Sequence, residues 1–177
     1  MTWDDDRATI CLMRAVALVS IIAVAALGAA TAGARPDAAP TVRVKIFAPR
    51  GDPGLRCELV FALPRTVRAP AVLAGVMRAL LRGPTAAERR RSYGGWFSAR
   101  TAGMLRSARV SRGTAYVDFR NFSRVIPNAS SSCGSALLLA QLDRTAKQFP
   151  TVRRTAYSFD GNARAFYEWL QRSPQQA

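Results

Sequence analysis

Cys133 stands in IPNASSSCGSALLLAQLD, residues 126–143, where small polar residues give way to an apolar run with helical spacing. A thiol in the first turn of a helix is a potential nucleophile, because the amide dipoles there favour the thiolate. A metal ligand and one half of a disulfide are the other possibilities. The chain contains no histidine. That removes the Ser-His and Cys-His pairs by which most hydrolases activate a nucleophile, and the commonest ligand of zinc, copper or iron. No catalytic residue, cofactor or metal ligand is therefore assigned. Asp118 and Asp143 could form an acid-base pair, but in so basic a chain they read as local ion-pair partners. The remaining feature with binding chemistry is Arg89-Arg90-Arg91 followed by Tyr93 and Trp96. Guanidinium groups beside exposed aromatics can hold an anionic glycan or a protein partner through bidentate contacts and stacking. The competing reading folds Tyr93, Trp96 and Phe97 into the core.

The charge balance restricts the partners. Of 177 residues, 26 are Lys or Arg and 11 are Asp or Glu, a net +15. Such a surplus steers a protein toward nucleic acid, anionic lipid or an acidic wall polymer. Residues 13–36, MRAVALVSIIAVAALGAATAGARP, narrow the choice. One arginine, an uncharged stretch and small residues at a cleavage-like end have the layout of a secretory signal. Residues 1–34 are accordingly expected to be a signal peptide, with Met13 a cleaner start than Met1, and residues 35–41 a linker. Contact with a membrane is expected only through an uncleaved signal. Export places the protein in the periplasm, cell envelope or extracellular space, and no nucleic acid partner is expected. It also leaves an even pair of cysteines, Cys57 and Cys133, in an oxidising compartment, which reads as a disulfide.

These groups must be positioned by elements visible as periodicities. Val42, Val44, Ile46 and Ala48 alternate with Arg43, Lys45 and Phe47, as in a half-buried strand. A turn at 48–54 leads to a second strand over Cys57–Arg65, with Cys57, Leu59, Phe61 and Leu63 on one face. Helical spacing follows from Pro70 to Leu81, stopped by Gly83-Pro84. Thr85 and Glu88 form a capping-box pattern, and Gly94-Gly95 makes residues 92–98 irregular. Residues 105–112 and 114–119 read as paired strands. The second long helix starts after the serine run and ends at Pro150, with Ser130, Ser131 and Ser132 as cap candidates. A strand near 152–159 and a short amphipathic helix over AFYEWLQR complete the chain. The order β-β-α-β-β-α-β with a helical tail implies an α+β domain. Its sheet would be mostly antiparallel, with two main helices on one face and a short C-terminal helix.

The stretches LLRGPTAAERRRSYGGWFS, TAGMLRSARVSRGTAYVDF, IPNASSSCGSALLLAQLDRTAKQFPTV and YSFDGNARAFYEWLQ resemble the GerMN domain of sporulation and spore germination. The resemblance covers residues 42–172, leaving 173–177 as a tail. It implies a compact α/β envelope domain without known enzymatic activity, occurring singly or in tandem. The similarity of some relatives to the ring-building motif of secretion assemblies implies protein-protein scaffolding. The expected function is thus an exported, non-catalytic cell-envelope interaction domain with an envelope protein as partner. The alternative is an accessory that binds anionic cell-wall polymer or peptidoglycan, assisting a hydrolase.

Overall fold

A computed structural model of the chain describes residues 39–51 and 56–172. The expected signal peptide, most of the linker and the 173–177 tail lie outside those residues. Strand β1, Thr41–Ala48, follows the alternation directly, burying Val44, Ile46 and Ala48. It pairs antiparallel with β2, Phe61–Arg68, from Thr41 opposite Arg68 to Ala48 opposite Phe61. The second strand therefore lies later than Cys57–Arg65. Cys57 sits in a turn ahead of it, Phe61 is exposed, and Leu63 and Val67 are the buried residues. The register with β1 decides this, because pairing begins opposite the end of β1.

Helix α1, Val72–Leu81, buries Leu73, Val76, Met77 and Leu80 at spacings of three and four. Pro70, joined to Ala69 by a cis peptide bond, precedes this helix instead of opening it. The short α2, Ala86–Arg90, begins with the expected capping box: Thr85 Oγ1 accepts from the Glu88 N–H, and the Glu88 carboxylate accepts from the Thr85 N–H. Strands β3, Leu105–Ser111, and β4, Thr114–Phe119, form a hairpin around Arg112-Gly113. Both turn residues have positive φ, 49° and 78°, as a two-residue type I′ turn requires. Helix α3, Ser132–Ala146, is capped by Ser131, whose hydroxyl accepts from the Gly134 N–H. Strand β5, Arg154–Phe159, and helix α4, Ala163–Trp169, close the order.

The strand pairing is mostly antiparallel, as expected, but not in one sheet: the described residues form an antiparallel pair β1-β2 and a mixed three-stranded sheet β3-β4-β5, in which β4 and β5 run parallel. The reason is topological. The connection from β4 to β5 passes through α3, and a helical crossover returns the chain in the same direction. Helix α1 lies against β1, β2 and β3 and against α3, while α3 also lies along β1 and α4 against β5. Below β4 and β5 the core is aromatic. Phe122 meets Phe159 at 4.9 Å between ring centroids, and Phe159 meets Phe166 at the same distance. Phe166 and Tyr167, which the sequence places on the tail helix, are buried there.

Candidate functional site

The structure joins Cys57 to Cys133 across a sequence separation of 76, with Cα atoms 5.2 Å apart. Cys133 occupies the second position of α3, two residues after the Ser131 cap, and Cys57 lies in the turn that leads into β2. In this geometry the sulfur is a bridge between α3 and the β1-β2 sheet and carries no thiolate.

The carboxylates are held in polar contacts. Asp143 of α3 accepts from the Tyr157 hydroxyl at 2.6 Å and the Thr155 hydroxyl at 2.8 Å, and pairs with Lys147 at 3.0 Å. Burial, with the Asp143 charge beside it, holds the Tyr157 phenol well above its ordinary range. Asp118 of β4 accepts from Ser158 and the Gly161 N–H and lies 3.6 Å from Arg106. The two aspartates thus sit in separate networks and share no site. Glu88, buried in α2, receives both nitrogens of the Arg65 guanidinium at 2.7 Å. That bidentate bond brings its carboxyl down to about 2, against the desolvation that burial imposes.

The arginine and aromatic residues are divided by the fold. Tyr93 is half-buried, bridged to Arg50 in an antiparallel pair. Arg50 and Arg91 place their guanidinium carbons 5.5 and 5.7 Å from its ring centroid, within cation-π range. The Arg50 Nε also donates to the Arg91 carbonyl. Arg89 and Arg90 are exposed on the same short helix, with Arg89 donating to the Pro84 carbonyl. Trp96 goes elsewhere. Its indole N–H donates to the Gly134 carbonyl in α3 at 3.1 Å, and its backbone N–H to the buried Gln141 side chain. Gly95 makes this approach feasible: at φ 119° a Cβ there would stand 2.6 Å from the Gln141 amide nitrogen. Trp96 therefore docks the 92–98 loop onto α3, and Phe97 is buried beside it. What remains at the surface is Arg50, Arg89, Arg90 and Arg91 beside the half-buried Tyr93 ring.

Two groups were not visible beforehand. Arg50 joins the cluster from the end of β1, and no local signal connects it to Tyr93. Gln141 and Thr145 on one side of α3, and Gln148 in the turn just after it, bond the backbone of β1. Gln148 accepts from the Lys45 N–H at 2.8 Å and donates to its carbonyl at 2.7 Å. Thr145 accepts from the Phe47 N–H at 3.2 Å, and Gln141 donates to the Phe47 carbonyl at 3.2 Å. Polar residues spaced by four and three along the apolar helix and the turn that follows it were the available signal.

A cap-bonded, disulfide-stapled α+β domain with a guanidinium-flanked tyrosine at its surface is the class these features define. Residues 50–164 match the family described as Germane, sporulation and spore germination. That match spans well over half of the sequence, and the chain belongs to this family. Its fold is similar to the tandem GerMN domains of the sporulation protein GerM from Bacillus subtilis, at 15% identity and a TM-score of 0.48, covering 75% of this chain and 43% of that one. The first GerMN domain of the same protein is similar at 14% identity and a TM-score of 0.44, covering 68% of this chain and 84% of that one. The chain thus spans less than half the length of the tandem structure. No curated protein matches it.

Proposed function

We propose that the chain is an exported, non-catalytic interaction domain of the cell envelope, whose partner is another envelope protein. One observation carries the reading. Glu88, Asp118, Asp143, Asp160 and Glu168 are each paired with a basic residue inside the domain. These five carboxylates are thereby matched by basic partners within the domain, while Arg89, Arg90 and Arg91 extend an exposed cationic surface beside Tyr93. A cation-flanked aromatic on a stapled scaffold suits recognition of an acidic surface, since a guanidinium and a ring give geometry as well as charge. Photo-crosslinking from position 90 in intact cells tests this. A discrete adduct with an envelope protein is expected, lost when Arg50→Ala and Arg91→Ala are combined. Absence of an adduct, or hydrolysis of wall material by the purified domain, overturns it.

The same surplus supports a second reading, binding of anionic wall polymer. It requires retention on a teichoic-type column that survives physiological salt and drops on Arg90→Ala. Purely electrostatic retention fades as salt shortens the screening length to about 8 Å.

A further inference from the structure

We propose that the outer edge of β3 takes an extended, acidic segment of a partner protein as an added strand. The inference rests on the reading of the chain as an interaction domain, but concerns a surface separate from the Tyr93 cluster. In a two-residue type I′ hairpin the residues flanking the turn form a mutually hydrogen-bonded pair. Ser111 opposite Thr114 is that pair, so Arg109 and Ser107 also bond β4. The backbone groups of Ala108 and Val110 must then point away from the sheet. The neighbouring ladder agrees with this phase. The Gly113 carbonyl accepts from Arg154, and the Phe119 carbonyl from Asp160, on the β5 side, while the Arg120 N–H reaches the Met104 carbonyl on the β3 side. Among the described residues no further hydrogen bond meets the outward groups of Ala108 and Val110.

Beside this edge runs a groove of about 340 Å³, lined by Ala71, Val72, Leu73, Val110, Phe149 and Thr151. Val110 is 42% exposed at its rim. An unpaired strand edge next to an apolar groove has both parts of strand addition: main-chain bonds for affinity, and a recess for alternate side chains. The groove faces the side of β3 that carries Ala108 and Val110. The opposite side carries Arg109, whose guanidinium lies 4.3 Å from the Tyr116 ring centroid. Cross-strand neighbours of opposite charge stabilise a pair, and like charges oppose it. A bound strand should therefore alternate apolar residues toward the groove with acidic residues toward Arg109. A second copy of β3 fits poorly, because it would set Arg106 and Arg109 against the same arginines. Charged residues on an edge also guard against self-association; that role alone would leave an acidic strand unbound.

The test is fluorescence anisotropy of the whole protein with a labelled heptapeptide alternating valine and glutamate, and with its lysine counterpart. Saturable binding of the acidic peptide is expected, with the lysine version at least about tenfold weaker. Val110→Pro removes an N–H that faces away from β4, so the ladder persists while binding falls by about tenfold or more. Val72→Glu adds a charge in the first turn of α1, where it suits the helix, and should also abolish binding by repelling the peptide from the groove. Melting curves serve to check that both variants are folded. Absence of saturable binding by the unaltered protein overturns the proposal, as does equal binding by both variants. Equal binding of the lysine peptide overturns its acidic chemistry. The peptide assay and the position-90 crosslink involve different residues, so each can fail without the other.

Discussion

The outer edges of β1 and β3 face the same problem, since each strand has a neighbour on one side only. At β1 the amides and carbonyls of Lys45 and Phe47 that β2 leaves unpaired are met by Gln141 and Thr145 of α3 and by Gln148 just beyond it. At β3 the equivalent groups of Ala108 and Val110 are met by nothing else among the described residues. The difference follows from burial. Helix α3 lies along β1, so at the part-buried Phe47 water is displaced and side chains must serve, because an orphaned buried polar group is costly, while the Lys45 end stays exposed. Beside β3 the groove stays open and solvent does the same work. A helix that covers an edge must therefore bring its own hydrogen-bonding groups, and this one brings two, with a third in the turn that follows it.

The covered edge can be broken most severely at its staple. Reduction, or Cys133→Ser, frees the start of α3 and removes a link across 76 positions. Loop entropy puts the loss at about 4 kcal/mol. The melting temperature should drop markedly, and amide exchange at Lys45 and Phe47 should quicken. Non-reducing peptide maps must show the peptides of Cys57 and Cys133 linked; two alkylatable thiols in protein from its native compartment would refute the staple. Next comes Gln141→Ala, which leaves the Phe47 carbonyl and the Trp96 N–H without partners in a site only 1% exposed. A loss of about 3 kcal/mol in urea unfolding is expected, against about 1 kcal/mol for Gln148→Ala at the solvated end. Equal effects would mean that burial does not set the difference.

Acid reaches the same half of the domain through Glu88. Its folded value, about 2, lies below the ordinary 4.5. The ion pair with Arg65 therefore contributes fully above 4.5, and its contribution is lost as pH falls from 4.5 toward 2. Urea midpoints should decline across that window, and Glu88→Gln should flatten the decline. The smallest effect sharpens the comparison without disturbing the fold. Amides of Ala108 and Val110 should exchange near the rate of exposed groups, while those of Lys45 and Phe47 are protected; comparable protection at all four would close the β3 edge.

Much of this architecture could be read from residues alone, and the reasons are local. The alternation in β1, the three-four spacing of α1, the Thr85–Glu88 box and the Arg112-Gly113 turn each encode a structure in a few neighbours. The family resemblance was legible because its motifs fall in order along the chain. The parallel pairing of β4 and β5 was not, since it depends on where the crossover through α3 lands. Nor was the division of the arginine and aromatic run. Tyr93 and Trp96 are three residues apart, yet one meets Arg50 from the end of β1 and the other meets Gly134 in α3. Both partners are distant in sequence, and nothing in SYGGWFS itself names them.

The three side chains that seal β1 also impose an order in time. They come from residues 94, 98 and 103 positions downstream of the residues they bond, so a chain emerging N-terminus first presents the β1-β2 hairpin long before α3 exists. During that interval the strand offers its amides to any neighbouring chain, the situation in which nascent domains aggregate. A truncation before residue 132 would make the interval permanent, turning the first hairpin into a template for intermolecular sheets.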